Sequence, residues 1–172
     1  NIGKQALVFC ATKQSAESMA EKISKANVNV RHVELAKKIL HALPKPTVQC
    51  RKLAKSVLRG IAFHHAGLVQ KQKSLVEESF RNGTVKIICC TPTLAAGVNL
   101  PAFRAIMKSL KRYSEKWGYS YIPVLEYKQM TGRAGRPGME AFGEAISIAA
   151  SEDESREIYE KYICGVPEEI DS

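Results

Sequence analysis

The chain of 172 residues has no apolar run approaching the roughly 20 residues needed to span a bilayer. Nor does it open on a charged-then-apolar leader pattern. Its five cysteines, Cys10, Cys50, Cys89, Cys90 and Cys164, are odd in number and include no CxxC pair. A zinc ribbon and a disulfide framework are both disfavoured on that ground, and reduced, mostly buried thiols in a cytoplasmic protein are expected. Internal repeats and low-complexity segments are absent. So are a G-x-x-x-x-G-K-[ST] loop and a D-E-x-D/H acid box, which would bring a lysine to the phosphates of a nucleotide and a carboxylate to its Mg²⁺. A chain without them is expected to bind ATP weakly and to hydrolyse none alone.

Acidic residues are scarce over most of the length. Residues 1–139 hold 24 Lys and Arg against seven Asp and Glu, a balance of +17. Residues 140–172 reverse this, with two against ten, a balance of −8. A body this basic is a footprint for a polyanion, most often nucleic acid, with a lysine-rich solvated surface as the plain alternative. A hydrophobic share of 45% with 25% charged residues fits one soluble domain with a full core. The first residue is Asn1, almost directly before a strand-like run, which suggests a piece of a longer polypeptide.

Short apolar runs alternate with amphipathic stretches. Ala6–Cys10, Ile61–His64, Val85–Cys90, Ala105–Met107 and Ala145–Ala149 read as buried strands. Lys13–Lys25, His32–Leu43, Leu53–Leu58, Gln70–Arg81 and Glu152–Tyr162 read as helices. Asn82-Gly83 ends the fourth of these, and Pro44–Pro46 separates the second from the third. This alternation implies an α/β fold with a parallel sheet, whose ligands gather beyond the carboxyl ends of the strands. Thr12, His65–Leu68 and Thr91-Pro92-Thr93 each follow a strand and fall on that one edge. Residues 31–59 form a basic helical insertion.

The segment Gln129–Gly138 reads QMTGRAGRPG. It sets Arg133 and Arg136 three residues apart, which on a helix is one face. Both guanidinium groups then reach one target, and Gly132, Gly135 and Gly138 let a partner surface come close. A triphosphate in transfer is such a target, because arginine stabilises charge spread over its equatorial oxygens. A Gly/Arg loop that only binds phosphate fits this segment alone equally well.

The segment is similar to motif VI of superfamily two helicases, with Gln129, Gly132, Arg133, Gly135 and Arg136 matching position by position. TPTLAAGVNLP (Thr91–Pro101) resembles their motif V, HHAGL (His64–Leu68) the motif before it in the Ski-two-like branch, and LVFCATKQSAE (Leu7–Glu17) motif IV. Order and spacing agree over nearly the whole chain. Within that branch the resemblance is to the archaeal HELQ-type DNA repair helicases. KSLKRYSEKWGYSYIPVLEYKQM stands where these proteins carry a strand-separating β-hairpin, and GEAISIA and YICGVPEEI follow as in that family.

The resemblance implies a RecA-like (P-loop NTPase-type) sheet with helices on both faces and a hairpin at 108–123 between motifs V and VI. It implies residues 1–164 as a second RecA-like domain and 165–172 as the start of a linker to a winged-helix domain. Arg136 and Arg133 would be catalytic, and Gln129, Gly97, Asn99, Arg133 and Arg136 would face ATP, with Mg²⁺ held elsewhere in the full-length parent. Thr12, His65, Gly67 and Thr91 would hold a sugar–phosphate backbone without reading sequence. For each threonine alone, a helix cap is the simpler reading. In the hairpin, Arg112, Tyr113, Trp117 and Tyr119 interleave cations with aromatics, as base stacking requires, although aromatics packed on a neighbouring domain fit as well. Related helicases often carry an acid where Asn99 stands, so a base role for Asn99 is not expected. His64 and His65 lack a third ligand and give no metal site; one is expected to pack inward and the other to face the site.

The expected function is thus part of an ATP-dependent 3′–5′ DNA helicase for repair or stalled forks. Its partners would be single-stranded and forked DNA, the first RecA-like domain and the winged-helix domain of the same polypeptide. The isolated domain would be a monomer, located in the cytoplasm with the DNA. An RNA-remodelling helicase of the same branch and a non-catalytic nucleic-acid-binding module are the competing readings.

Overall fold

Ala6–Phe9, the run ALVF, forms strand β1 at the centre of a parallel sheet. The other strands are β2 (Ile61–His64), β3 (Ile87–Cys90), β4 (Arg104–Met107), β5 (Lys111–Ser114), β6 (Gly118–Tyr121) and β7 (Glu144–Ser147). A computed structural model of the chain describes residues 3–27, 31–114, 118–135, 138 and 141–165. The main sheet runs β2-β3-β1-β4-β7, with every neighbouring pair parallel, while β5 and β6 pair only with each other, antiparallel. All four residues of β1 and of β2 are buried, so both faces of that part of the sheet are covered.

The helices are α1 (Lys13–Ala26), α2 (Val33–Leu40), α3 (Val48–Val57), α4 (Gln70–Arg81), α5 (Thr93–Gly97), α6 (Val124–Thr131) and α7 (Glu152–Ile158). A π-helical turn, Tyr159–Ile163, continues α7. The core is one cluster that includes Leu7, Phe9, Phe63, Phe80, Ile88 and Met107, all 1% exposed or less. Side chains of this size each contribute about 1.5–3 kcal/mol on burial. Gln5, unremarked in the sequence, is 5% exposed and donates from Nε2 to the Phe80 and Val85 carbonyls at 2.6 and 2.8 Å. It ties the end of α4 to the entry of β1.

Several boundaries differ from the sequence reading for local reasons. β3 starts at Ile87 because the Val85 N–H donates to the Ser79 carbonyl, closing the α4 loop instead of joining the ladder. α3 starts five residues before Leu53, where Thr47 Oγ1 accepts from the Cys50 N–H at 3.2 Å. That cap places Cys50, Leu53, Ala54 and Val57 on one buried stripe. α2 ends at Leu40, short of Leu43, as Pro44 disfavours helical backbone before it. α5 within motif V is a further helix that the sequence reading did not include.

Candidate functional site

The strand ends are level. Phe9 is in register with Cys90 and Met107, and Cys90 with His64. Thr12, the loop after His64, and Thr91 therefore stand together on the carboxyl edge of the sheet. The sequence placed them there by strand order, and the register brings them side by side.

Thr12 is exposed and caps α1. Its oxygen accepts from the Ser15 N–H at 3.0 Å, and Ser15 Oγ accepts from the Thr12 N–H at 3.0 Å. The simpler reading, a cap, is thus realised, and it occupies a lone pair while leaving the hydroxyl hydrogen to donate. Thr91 is 9% exposed and its hydroxyl pairs with Thr93 Oγ1 at 2.9 Å. The exposed threonine at this strand end is Thr93, which the sequence places in the same candidate loop but not among the expected backbone contacts.

Both histidines are buried, at 5% and 1% exposure. His64 lines a cavity shared with Gly97 and Asn99, whereas the expected contact of His65 with a nucleic-acid backbone is corrected, because its ring is enclosed. His64 Nε2 lies 2.9 Å from Glu77 Oε1. His65 stacks on Phe63 and accepts at Nδ1 from the Gly67 N–H, at 3.1 Å. Its Nε2 is 3.3 Å from Glu17 Oε1 without hydrogen-bond alignment. His65 thus shapes the loop from within, and the exposed atoms are those of Ala66 and Gly67. Burial holds both imidazoles below their ordinary value, against the opposing pull of Glu77 and Glu17. Burial also pushes the Glu17 carboxyl up, but hydrogen bonds from Gln49 and Lys52 outweigh it and leave the group below the usual range. Those bonds, at 2.8 and 3.0 Å, join the basic α3 to this edge.

Motif VI leaves the helix before Arg133, so Arg133 does not stand on the helical face expected for it. α6 ends at Thr131, Gly132 is the cap, and Gly135 has φ +94°. The Arg133 carbonyl accepts from the Ala102 N–H at 2.9 Å, and the Gly135 N–H donates to the Ala102 carbonyl at 2.7 Å. The segment is therefore a short ribbon laid against the end of motif V. The Arg133 guanidinium donates to the Ala95 carbonyl, and to Asn99 Oδ1 at 3.3 Å. Gly143, also absent from the expected site, backs the turn so closely that an added Cβ would lie 2.1 Å from the Gly135 nitrogen. Arg136 lies outside the described residues.

Two cavities flank motif V. One, of about 540 Å³, is lined by Gly97 and Asn99 together with His64, Lys73, Glu77 and Arg81. Two cations to one carboxylate suit an anionic ligand group. The other, of about 470 Å³, is lined by Phe9, Thr91, Thr93, Arg112, Leu125 and Gln129. Gln129 thus opens on a different cleft from Gly97 and Asn99, and the expected ATP-facing set is divided between the two.

In the hairpin, Tyr119 is 79% exposed and stands in register with Tyr113. Arg112 is committed to Glu126 of α6, at 2.9 Å. Trp117 lies outside the described residues. Among the described residues no group of three or more His, Cys, Asp or Glu is placed to hold a metal ion, and no helix is long and apolar enough to cross a membrane.

Residues 45–138 match the family model of the helicase conserved C-terminal domain. The chain is 48% identical over 175 aligned positions to a protein named ATP-dependent DNA helicase Hel308 from Methanocella arvoryzae, an alignment covering 99% of this chain and 24% of that protein. Proteins of the same name from Methanococcus vannielii and Caldivirga maquilingensis are 45% and 40% identical, over 85% and 100% of this chain and 20% and 24% of theirs. The chain spans about a quarter of the length of these relatives. With its motif V and motif VI joined through Arg133, it belongs to the helicase C-terminal domain family, on the Ski-two-like branch that holds the archaeal Hel308 helicases.

Proposed function

We propose that the chain is the second RecA-like domain of an ATP-dependent 3′–5′ DNA helicase that acts in repair or at stalled forks. The observation that carries this reading is the hold of motif V on Arg133, beside the cavity lined by Gly97 and Asn99. A guanidinium held at both ends of its fork is pre-organised to meet phosphate oxygens without reorganising. On this reading Arg136, three residues further along the sequence, is the arginine finger and Arg133 is its companion.

ATP and Mg²⁺ supply the phosphoryl group and its charge shielding when bound in the longer polypeptide. The first RecA-like domain contributes the phosphate loop and acid box, and a winged-helix domain follows. Thr12, Gly67 and the Thr91–Thr93 pair grip the sugar–phosphate track, and the β5–β6 hairpin parts the duplex. By itself the chain is a monomer without ATPase activity. The protein works in the cytoplasm, on the DNA.

The test is Arg136→Ala in the longer polypeptide. DNA-stimulated ATP turnover should fall by about 10³-fold or more, with single-strand affinity kept. Unchanged turnover would favour a non-catalytic nucleic-acid-binding module.

A further inference from the structure

The acidic end of the chain meets the base of the hairpin. Lys111 and Tyr121 are the paired residues where β5 and β6 leave the body of the domain. Lys111 Nζ lies 3.2 Å from Glu154 Oε1 and 4.6 Å from the centre of the Tyr121 ring. Tyr121 donates its hydroxyl to Glu157 Oε2 at 2.7 Å. Lys161 Nζ stands 5.5 Å from the same ring. Tyr162, fully buried, donates to the Ile122 carbonyl at 2.7 Å, and its ring packs against Tyr121 and Tyr127.

Glu154 is a fixed anchor. Its N–H donates to the Ser151 cap at 3.1 Å, and its Oε2 accepts from the Ala150 N–H at 2.7 Å. The Ala150 bond and then Lys111 hold its carboxyl below the usual range. Lys111 is held above its ordinary value, first by the Tyr121 hydroxyl and then by Glu154.

A two-stranded ribbon of this length is marginal by itself in water. β5 and β6 pair with no other strand among the described residues. The ribbon takes its direction from what its base leans on. Arg112 reaches Glu126 of α6 on one strand, and Lys111 and Tyr121 reach α7 at the open end. Four residues of strand extend about 13 Å, so a tilt of about 10° at the base moves their far end by about 2 Å. That exceeds the ~1 Å misplacement that can cost a positioned reaction ~100-fold.

We propose that α7 and its π-helical turn are the buttress of the hairpin, with Glu154 and Glu157 as positioning residues that aim its tip at the duplex junction. The local reversal of charge in the sequence then has a purpose: the acids are counter-charges for a cationic, aromatic base. This inference rests on the reading of the hairpin as a strand separator. Exposed ion pairs add little to folding, so their loss changes aim before it changes stability.

The test uses the longer polypeptide with Glu154→Gln and Glu157→Gln combined. Unwinding of a forked duplex should slow by about tenfold or more, while single-strand-stimulated ATP turnover stays within about twofold. The Tm should stay within about 3 °C. Lys111→Glu should show the same defect, and adding Glu154→Lys should recover it. Wild-type unwinding in the double variant, or loss only in proportion to ATP turnover, overturns the buttress. Trp117→Ala separates the two failures. If it slows unwinding while the glutamate variant does not, the hairpin reading stands and the buttress falls. If neither slows unwinding, the hairpin reading fails and takes the buttress with it.

Discussion

Arg133 of motif VI donates to the side-chain oxygen of Asn99 in motif V at 3.3 Å, and to the backbone carbonyl of Ala95 in the same motif. One guanidinium thus joins two segments 34 residues apart. Removing the side-chain acceptor by Asn99→Ala leaves the backbone acceptor in place. ATP turnover of the longer polypeptide should then fall by about threefold to tenfold, less than for Arg133→Ala. Asn99→Asp makes the bond charge-assisted and should keep turnover at or above wild type. Steady-state kcat for the three variants checks the order. Equal losses for Asn99→Ala and Arg133→Ala would remove the case for two acceptors sharing the load.

Gly143 and Gly135 lie backbone against backbone. An alanine Cβ at 143 would stand 2.1 Å from the Gly135 nitrogen and 2.6 Å from the Ala134 carbonyl carbon, so main chain must move. Gly143→Ala should therefore destabilise the 172-residue chain by about 2–4 kcal/mol. Gly97→Ala meets nothing within 4 Å and serves as the comparison, with an unchanged Tm. Denaturant melts of both variants decide this, and a Gly143→Ala midpoint equal to wild type would mean the two backbones are not held in contact.

The pH dependence of folding follows from the two buried histidines. Burial depresses both folded imidazoles, so the folded state disfavours the proton that the unfolded chain accepts near its ordinary value of about 6.5. Their contribution to stability is complete above about pH 6.5 and is lost as pH falls through the depressed folded values. The depressed Glu17 carboxyl acts in the same direction but in the carboxylate range, nearer pH 4. The Tm should fall between pH 7 and pH 5, and a His64→Gln, His65→Gln chain should lose most of that slope. A slope that survives both substitutions would place its origin in the carboxylates.

The parts of the fold legible in the sequence were those set by local pattern. Ile61–His64 and Gln70–Arg81 were read to the residue, because four apolar-strand positions and an Asn-Gly stop each declare themselves within a few residues. The α/β class followed from their alternation and its RecA-like form from the helicase resemblance, and the parallel five-stranded sheet agrees with both. The geometry of the site was less legible, because it depends on contacts between distant segments. That Arg133 sits on a ribbon and not a helix depends on Ala102 and Gly143, neither of which has a polar side chain to draw notice. That His65 is enclosed depends on Glu17 and Phe63. Thr93 is legible as part of the Thr91-Pro92-Thr93 loop, but its exposure, in place of that of Thr91, follows from its position as the first residue of α5.

The choice of DNA over RNA rests on the hairpin and not on the strand-end loops. The hydroxyls of Thr12 and Thr93 and the backbone around Gly67 suit phosphate oxygens, which both nucleic acids present. None of them requires the absence of a 2′-hydroxyl. The Tyr113–Tyr119 pair and the Lys111–Tyr121 base, in contrast, belong to the hairpin proposed above to meet a duplex end, where B-form and A-form helices differ in groove width and stacking. The longer polypeptide should therefore unwind forked DNA at least about tenfold faster than a matched forked RNA, while binding the two single strands within about threefold of one another. Strand-displacement rates and single-strand affinities under one salt condition give both ratios, and salt must be fixed because phosphate contacts dominate affinity. Equal unwinding of the two forks would mean that the hairpin does not discriminate, and the DNA assignment would lose its physical support in this domain.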